Sequence, residues 1–289
     1  MSVIEHMTAI RRVTGLVGAL VLLAGFGASP VAANPGDPPG ALTFGGLLRT
    51  YLVHVPAGLE RPAGLVINLH GSGQTGADQA ALTNYNAIAD QYGFVVAYPD
   101  GIDLSWADGR GASVPDRQGI DDVGFLAALI ERLSSEFGIA PRRVFVTGMS
   151  AGAFMTNRLA CDRADLVNAI VPVAGTLGVG VPCAPSRPVS VLAIHGTADA
   201  VVPFGGGPMV GRGGPSEILS APALANVWRA ADGCPAPLGD GGPAGQAVRM
   251  AAVGCAGGTE VVLVPVDGGG HTWLDASQAS AQFFASRAI

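Results

Sequence analysis

The pentapeptide at 148–152 (GMSAG) holds the residue best placed to act as a nucleophile. It follows a short β-branched and aromatic run at 143–147 and precedes a helix-forming stretch at 151–160. A serine at such a strand-to-helix junction lies on a tight turn that exposes its Oγ. Glycine two residues before and after the serine lets the two backbones approach closely. The pattern predicts Ser150 as a nucleophile, and the alternative is a glycine-rich connection with an incidental serine.

Two apolar runs later in the chain are each followed by a candidate partner for this serine. One leads into HGTAD, which ends at Asp199, and the other into DGGGH, which ends at His271. Open α/β sheets gather their sites where the strands end. Serine needs an imidazole to accept its proton, and the imidazole needs a carboxylate to fix its tautomer. The order Ser150, Asp199, His271 is that of an α/β-hydrolase triad, so we predict Asp199 as the acid and His271 as the base.

The other histidines are weaker candidates for the base, among five in the sequence. His54 lies within a predicted strand. His70 and His195 each precede a glycine at a strand end, where an imidazole more often supports neighbouring loops. His271 lies on a glycine-rich loop that lets it reach the serine. Asp267 is a rival acid because it also follows a strand, although it would have to share one loop with the histidine.

The segment HGSG at 70–73 follows another apolar run and is placed to form one wall of an oxyanion hole. A developing oxyanion needs two preorganised donors. In this type of site one is the backbone N–H just after the nucleophile, which is Ala151, and the second comes from a loop such as this one. We predict that the backbone of Ser72 or Gly73 supplies it. An ordinary glycine-rich strand end is the alternative.

Strand-like and helix-like segments alternate along the chain, and they must position these residues. Strands are predicted at 49–55, 65–69, 94–98, 143–147, 169–173, 189–194 and 261–266. Helices are predicted at 77–92, 123–137, 151–160, 221–231 and 276–287. This alternation predicts an α/β fold with a doubly wound, mostly parallel sheet in a single domain. Two stretches dense in Gly and Pro, Gly205–Ser216 and Pro235–Gly245, are predicted to be surface loops.

Residues 1–33 have the pattern of a secretory signal peptide. Arg11 and Arg12 supply positive charge, an apolar run at 13–26 is too short to span a bilayer comfortably, and small residues follow at 31–33. We therefore expect a catalytic domain at 34–289 that is released outside the cell without a stable membrane anchor. The alternative is an uncleaved anchor.

Composition and cysteine count support an exported protein that does not bind nucleic acid. The net charge is −6 and 13% of residues are charged, whereas nucleic-acid binding requires a basic surface. The four cysteines permit three pairings, and none has the spacing of a zinc site. We predict Cys161–Cys183, because the first ends the nucleophile helix and the second follows the next strand. We also predict Cys234–Cys255, which bracket a segment rich in Pro and Gly.

Several motifs together resemble the extracellular esterases grouped with polyhydroxybutyrate depolymerases and feruloyl esterases. They are LHGSG at 69–73, PDG at 99–101 followed by Trp106, DDVGFL at 121–126, GMSAGA at 148–153, HGTAD at 195–199 and GGGHTW at 268–273. The resemblance implies an α/β-hydrolase fold, no cofactor, no metal, and hydrolysis of carboxylic esters by Ser150, His271 and Asp199. It also implies that Trp106 and Trp273 help line the substrate site.

One residue departs from the family pattern, and three functions remain in competition. Leu274 stands where a proline is expected after the tryptophan, which affects substrate choice rather than chemistry. The leading hypothesis is a secreted, monomeric esterase that acts on aryl esters or polyesters. The alternatives are an acyltransferase with the same triad and a catalytically silent binding protein. Since no carbohydrate-binding module or Ser/Thr-rich linker is present, soluble or short-chain esters are favoured.

Overall fold

The computed structural model describes residues 39–235, 239–240, 250–252 and 254–288, all within one compact unit at 32–289. The predicted signal peptide and most of the predicted loop Pro235–Gly245 lie outside the described residues. No helix in the described part is long and apolar enough to cross a membrane.

The strands and helices of the described residues have the following bounds. The strands are β1 (Pro39–Phe44), β2 (Leu47–His54), β3 (Gly64–Leu69), β4 (Phe94–Pro99), β5 (Val144–Met149), β6 (Ala169–Val173), β7 (Ser190–Gly196), β8 (Gly207–Gly211), β9 (Gly214–Ile218), β10 (Gly239–Asp240), β11 (Met250–Ala252) and β12 (Val261–Val266). The helices are α1 (Gly76–Thr83), α2 (Tyr85–Tyr92), α3 (Val114–Gln118), α4 (Asp122–Glu136), α5 (Ala151–Asp162), α6 (Ala221–Ala231) and α7 (Ala276–Ala285).

Ten of these strands form one sheet in the order β1-β2-β4-β3-β5-β6-β7-β12-β11-β10. The six central strands from β4 to β12 are parallel, and the flanking strands on both sides pair antiparallel. We call the end of the sheet where the parallel strands begin its amino end, and the end where they finish its carboxyl end. The loops that leave β3, β5, β7 and β12 at the carboxyl end contain all the predicted catalytic and oxyanion-hole residues.

Alternating side chains of the buried strands divide the core between the two faces of the sheet. Leu65, Ile67 and their equivalents pack against α4, α5 and α6, whereas Val66 and its equivalents pack against α1, α2 and α7. Strands covered on both faces are mostly apolar, which is why they appear as nearly continuous apolar runs in the sequence. The predicted doubly wound, mostly parallel sheet is confirmed.

Two of the local predictions were wrong. The predicted helix at 77–92 is interrupted at Asn84, which lies between α1 and α2. Its φ of 46° is left-handed and ends α1. The predicted loop Gly205–Ser216 is instead largely the antiparallel hairpin of β8 and β9. Glycine and proline are unfavourable in strands, so composition indicated a loop. The hairpin forms because one of its buried side chains, Met209, packs with Phe154 and Val202.

Both predicted disulfides are present in the structure, which pairs Cys161 with Cys183 and Cys234 with Cys255. Cys161 lies in the last turn of α5, and Cys255 shortly precedes β12. The cross-links therefore lie toward the amino end of the sheet, away from the predicted catalytic residues.

Candidate active site

Ser150 occupies the turn between β5 and α5 in a backbone conformation that non-glycine residues rarely adopt. Its φ is 55° and its ψ is −119°. The N–H of Ser150 donates to the carbonyl oxygen of Val173 at 3.0 Å, which fixes the turn against the end of β6. Strain of this kind persists where the surrounding structure determines the conformation, and it turns the serine side chain outward.

The two glycines of the pentapeptide are required by close backbone contacts. A Cβ at Gly152 would lie 2.1 Å from the carbonyl oxygen of Leu69, and one at Gly148 would lie 2.7 Å from the carbonyl carbon of Gly152. Real Cβ atoms do not approach backbone atoms so closely. The glycines therefore bring α5 against the end of β3, where the HGSG segment begins.

Asp199 and His271 are hydrogen-bonded to each other across two loops. Asp199 Oδ2 lies 2.8 Å from His271 Nδ1, while Asp199 Oδ1 accepts from the N–H groups of Val201 and Val202, each at 2.8 Å. The carboxylate is fully buried, and 17% of the His271 side chain is exposed. Because Nδ1 is occupied by the carboxylate, the other ring nitrogen, Nε2, is the one available to a substrate or to the serine.

The loops that hold this pair are joined through their backbones. Ala198 N–H donates to the Gly269 carbonyl oxygen at 3.0 Å, and Thr197 N–H donates to the Val266 carbonyl oxygen at 2.9 Å. A Cβ at Gly196 would lie 2.1 Å from the Gly269 oxygen, so the glycine of HGTAD permits this approach. The carboxylate and the imidazole are thus positioned by one rigid unit.

The other candidates for base and acid have structural partners instead. His70 Nε2 accepts from the N–H of Gly101 at 2.9 Å, and His195 Nε2 donates to the Val202 carbonyl oxygen at 2.9 Å. Burial lowers the pKa of both imidazoles, so both are neutral near pH 7. The rival acid Asp267 is exposed and accepts from Thr197 Oγ1 at 3.3 Å. The structure thus pairs His271 with Asp199 rather than with Asp267.

The structure distinguishes between the two predicted loop donors of the oxyanion hole. Gly73 N–H donates to the carbonyl oxygen of Leu104 at 2.7 Å, so Gly73 is a correction to the prediction. Within the described residues, the N–H groups of Ser72 and Ala151 have no hydrogen-bond acceptor. Both of these residues line the cavity that also contains Ser150. Ala151 and Ser72 are therefore the pair of donors that the geometry leaves available.

A cavity of about 260 Å³ is lined by Ser150, Ala151, Ser72 and His271. Among the described residues, Ser150 Oγ and His271 make no direct hydrogen bond, and catalytic hydrogen bonds often tighten only when substrate is bound. A larger cavity of about 640 Å³ lies between β12 and α7 and contains none of the predicted catalytic residues. The smaller cavity is the candidate active site, because the residues predicted as nucleophile, base and oxyanion-hole donors all line it.

Comparison with known families agrees with this arrangement. The family model described as "Esterase PHB depolymerase" matches residues 49–202, which is more than half of the chain. This chain belongs to that esterase family. The matched region includes the serine turn, the HGSG segment and Asp199, whereas His271 follows it.

Sequence relatives support the family assignment, and a solved structure supports the fold. The esterase is 29% identical to feruloyl esterase B of Piromyces equi over 77% of this chain and 42% of that protein. It is 28% identical to feruloyl esterase C of Emericella nidulans over 76% of each. The structure of the acetyl xylan esterase from Aspergillus awamori superimposes with a TM-score of 0.61 at 17% identity, covering 86% of this chain and 98% of that one. The predicted α/β-hydrolase fold is confirmed.

Neither tryptophan that the resemblance placed at the substrate lines the cavity of this esterase. Trp106 is fully buried, its Nε1 donates to the His70 carbonyl oxygen at 2.9 Å, and its ring packs on the His70 ring. Trp273 is 5% exposed and its Nε1 donates to Ser277 Oγ at 2.8 Å. Both predictions are corrected: these side chains support the loops from inside the core.

A buried arginine that sequence reasoning missed lines the cavity. Arg110 forms two hydrogen bonds to the carboxylate of Asp108, at 2.9 and 2.7 Å, and its guanidinium lies 3.5 Å from the centre of the Phe154 ring. Asp108 balances its charge, and Phe154 belongs to the nucleophile helix. An Arg two residues after an Asp was the available signal, but such pairs are common on protein surfaces.

The backbone conformation at Leu274 excludes the proline that the family pattern has at this position. Its φ is 53°, whereas proline is restricted to about −65°. A proline at 274 would require a different path for the chain between His271 and α7. The departure from the family pattern is therefore a backbone difference beside the base.

Proposed function

We propose that this esterase hydrolyses carboxylic esters by nucleophilic catalysis with Ser150, His271 and Asp199. The observation that supports this proposal most strongly is the hydrogen bond of 2.8 Å between His271 Nδ1 and the buried carboxylate of Asp199, at a cavity shared with Ser150. This contact fixes the tautomer in which Nε2 can accept a proton. It also stabilises the imidazolium that then forms.

The chemical steps follow from these positions. His271 Nε2 takes the proton of Ser150 Oγ while Oγ attacks the ester carbonyl carbon. The N–H groups of Ala151 and Ser72 bind the oxyanion of the tetrahedral intermediate. The alcohol leaves with the proton from His271, and an acyl-enzyme remains. His271 then removes a proton from water, which attacks the acyl-enzyme and releases the carboxylic acid.

We propose esters of aryl acids or short-chain hydroxy acids as the substrate class. Two feruloyl esterases are among the relatives, and the family description names polyhydroxybutyrate depolymerases. The small size of the cavity is compatible with soluble esters of this kind.

Labelling and turnover test this function together. A fluorophosphonate should label the wild-type protein, and peptide mass spectrometry should locate the label on Ser150. A panel of p-nitrophenyl esters, methyl ferulate and polyhydroxybutyrate should then reveal hydrolysis of at least one soluble ester. Ser135→Ala, on the exposed side of α4, is the matched control and should retain both label and turnover. Labelling at another serine, or no turnover of any ester, would contradict the proposal.

We also propose that the protein is exported and that residues 1–33 are removed. Two disulfides in the described region support an oxidising location, because cytosolic thiols are kept reduced. Mass spectrometry of the secreted protein should find a chain that begins near Asn34. An intact N-terminus in the culture medium would contradict this cleavage.

A further inference from the structure

The hairpin of β8 and β9 forms one side of the Ser150 cavity, although it lies beyond the region that the family model matches. Met209, Val210 and Arg212 line the cavity together with the catalytic residues. Met209 is 9% exposed and packs in a cluster with Phe154 of α5 and with Val202, which follows Asp199. The hairpin is therefore anchored to both the nucleophile helix and the acid loop.

Hydrogen bonds hold the hairpin in place at its tip and at its base. Gly213 N–H, at the tip, donates to the Ala112 carbonyl oxygen at 3.1 Å. At the base, Val179 N–H donates to the Glu217 carbonyl oxygen and Leu219 N–H donates to the Leu177 carbonyl oxygen, each at 2.9 Å. The surface beside the cavity is therefore preformed, which reduces the entropy that a ligand must lose on binding.

A second cavity, an open groove of about 490 Å³, lies along the outer side of this hairpin. We call it the hairpin groove, and every residue that lines it is apolar, including Val201, Pro203, Pro208, Val210 and Pro215. Val210 is 79% exposed and Val201 is 50% exposed, so both side chains are accessible to a ligand in the groove.

The hairpin groove adjoins the Ser150 cavity. Val201, Met209 and Val210 line both spaces, so these three side chains form the boundary between the cavity and the groove. Other exposed valines do not meet this condition. Val179 is 56% exposed but lines neither space.

We propose that the hairpin groove binds an extended apolar acyl chain of the ester substrate, an inference that rests on the proposed function. The acyl group forms its bond to Ser150 in the first half-reaction and keeps it until water releases the acid in the second, whereas the alcohol must leave before water enters. Met209, which lies between the cavity and the groove, packs on Phe154 of the nucleophile helix, and this places the groove beside the serine. Burial of each further methylene on these side chains lowers the free energy of the transition state.

A series of p-nitrophenyl esters tests this inference on the full-length protein. From acetate to butyrate to hexanoate, kcat/KM of the wild type should rise by about fourfold per buried methylene. Pro208→Asp places a charge in the groove at an exposed residue that does not line the Ser150 cavity, and it should lower the hexanoate-to-acetate ratio of kcat/KM by about tenfold or more. Acetate turnover itself should be retained, because its acyl group does not reach the groove. Val179→Asp is the matched control, since it adds the same charge at an exposed valine outside the groove.

The outcomes separate this inference from the proposed function. If acetate is hydrolysed but the hexanoate-to-acetate ratio is the same in wild type, Pro208→Asp and Val179→Asp, the groove does not bind the acyl chain and the proposed function stands. If kcat/KM rises with the length of the alcohol in a series of acetate esters, and not with the length of the acyl chain, the inference is also wrong. If no ester is hydrolysed by the wild type, the proposed function itself fails.

Discussion

The two ends of the parallel sheet hold buried polar groups of different kinds. At the carboxyl end, the Asp199 carboxylate accepts two backbone N–H groups and contacts an imidazole that opens onto a cavity. At the amino end, the carboxylate of Asp232 is buried at the end of α6 and accepts from the N–H of Val189 at 3.0 Å. Both disulfides also lie toward the amino end.

The groups proposed for catalysis thus lie at the carboxyl end, and the cross-links that stabilise the chain lie at the amino end. Helix α5 connects the two ends, since it begins at Ser150 and its last turn contains Cys161. A helix of this length is about 18 Å long, so a change at one end need not disturb the other. We expect substitutions at the carboxyl end to lower turnover with little effect on stability, and the reverse at the amino end.

The largest expected effect is that of Ser150→Ala. Loss of the nucleophile should lower kcat for p-nitrophenyl acetate by about a million-fold. The melting temperature should not change, because the backbone N–H of residue 150 can still donate to Val173. Steady-state kinetics and calorimetry on the same preparations measure both quantities. Retention of a tenth of the wild-type kcat would show that another residue is the nucleophile.

Asp199→Asn should have the next largest effect. It should lower kcat by about ten thousand-fold, because the amide favours the wrong imidazole tautomer. Asp267→Asn is the matched control, since it changes the exposed carboxylate of the neighbouring loop and should leave kcat unchanged. If the control is the more damaging variant, the acid is Asp267.

Removal of one disulfide should lower the stability of the protein and leave its turnover unchanged. The double variant Cys161→Ala/Cys183→Ala should lose about 3 kcal/mol in the free energy of unfolding, because the cross-link closes a loop of 22 residues. Urea denaturation measures this loss, and kcat/KM for p-nitrophenyl acetate should be unchanged at temperatures where the variant is folded. A fall in kcat/KM of the folded variant would show that α5 couples the two ends.

Asp232→Asn should have the smallest effect, and one that depends on pH. Burial raises the pKa of Asp232 to about 6, above the value of 3.8 for an unperturbed aspartate. The folded protein therefore binds more protons than the unfolded chain in this interval, and wild-type stability should fall as pH rises from about 4 to 6. Asparagine keeps an acceptor for Val189 without a charge to bury.

The variant should thus be more stable than wild type by about 2–3 kcal/mol at pH 7.5, and about as stable as wild type at pH 4. Denaturant unfolding at the two pH values gives this difference. Turnover should be the same for both proteins at each pH. A difference in stability that does not change between pH 4 and pH 7.5 would show that the Asp232 carboxylate does not titrate in this interval.

The sequence was most informative where a backbone requirement excludes most residue types. Gly148, Gly152 and Gly196 are examples near the ends of strands. At each of them a backbone segment passes so close that a Cβ would clash with it. The apolar runs that became β3 to β7 were recognisable because strands buried on both faces have few polar positions.

Sequence reasoning failed where the direction of a side chain decided the outcome. Trp106 and Trp273 lie near the catalytic loops in sequence, yet their indole N–H groups bond inward to His70 and Ser277. Gly73 lies in the predicted oxyanion segment, but its N–H points to Leu104. Neither type nor spacing specifies such orientations, because they depend on partners distant in the chain.

The sequence by itself determined the central strands, most of the helices that cover them, and Ser150, Asp199 and His271 as the candidates for catalysis. Local backbone geometry and burial restrict the residue types within a short segment, so these features can be predicted from short stretches of sequence. Only the tertiary structure decided that Asp199 rather than Asp267 contacts His271 and that a glycine-rich stretch is a hairpin beside the cavity. Those outcomes depend on loops that leave different strands and meet at one end of the sheet, a proximity that the sheet order creates.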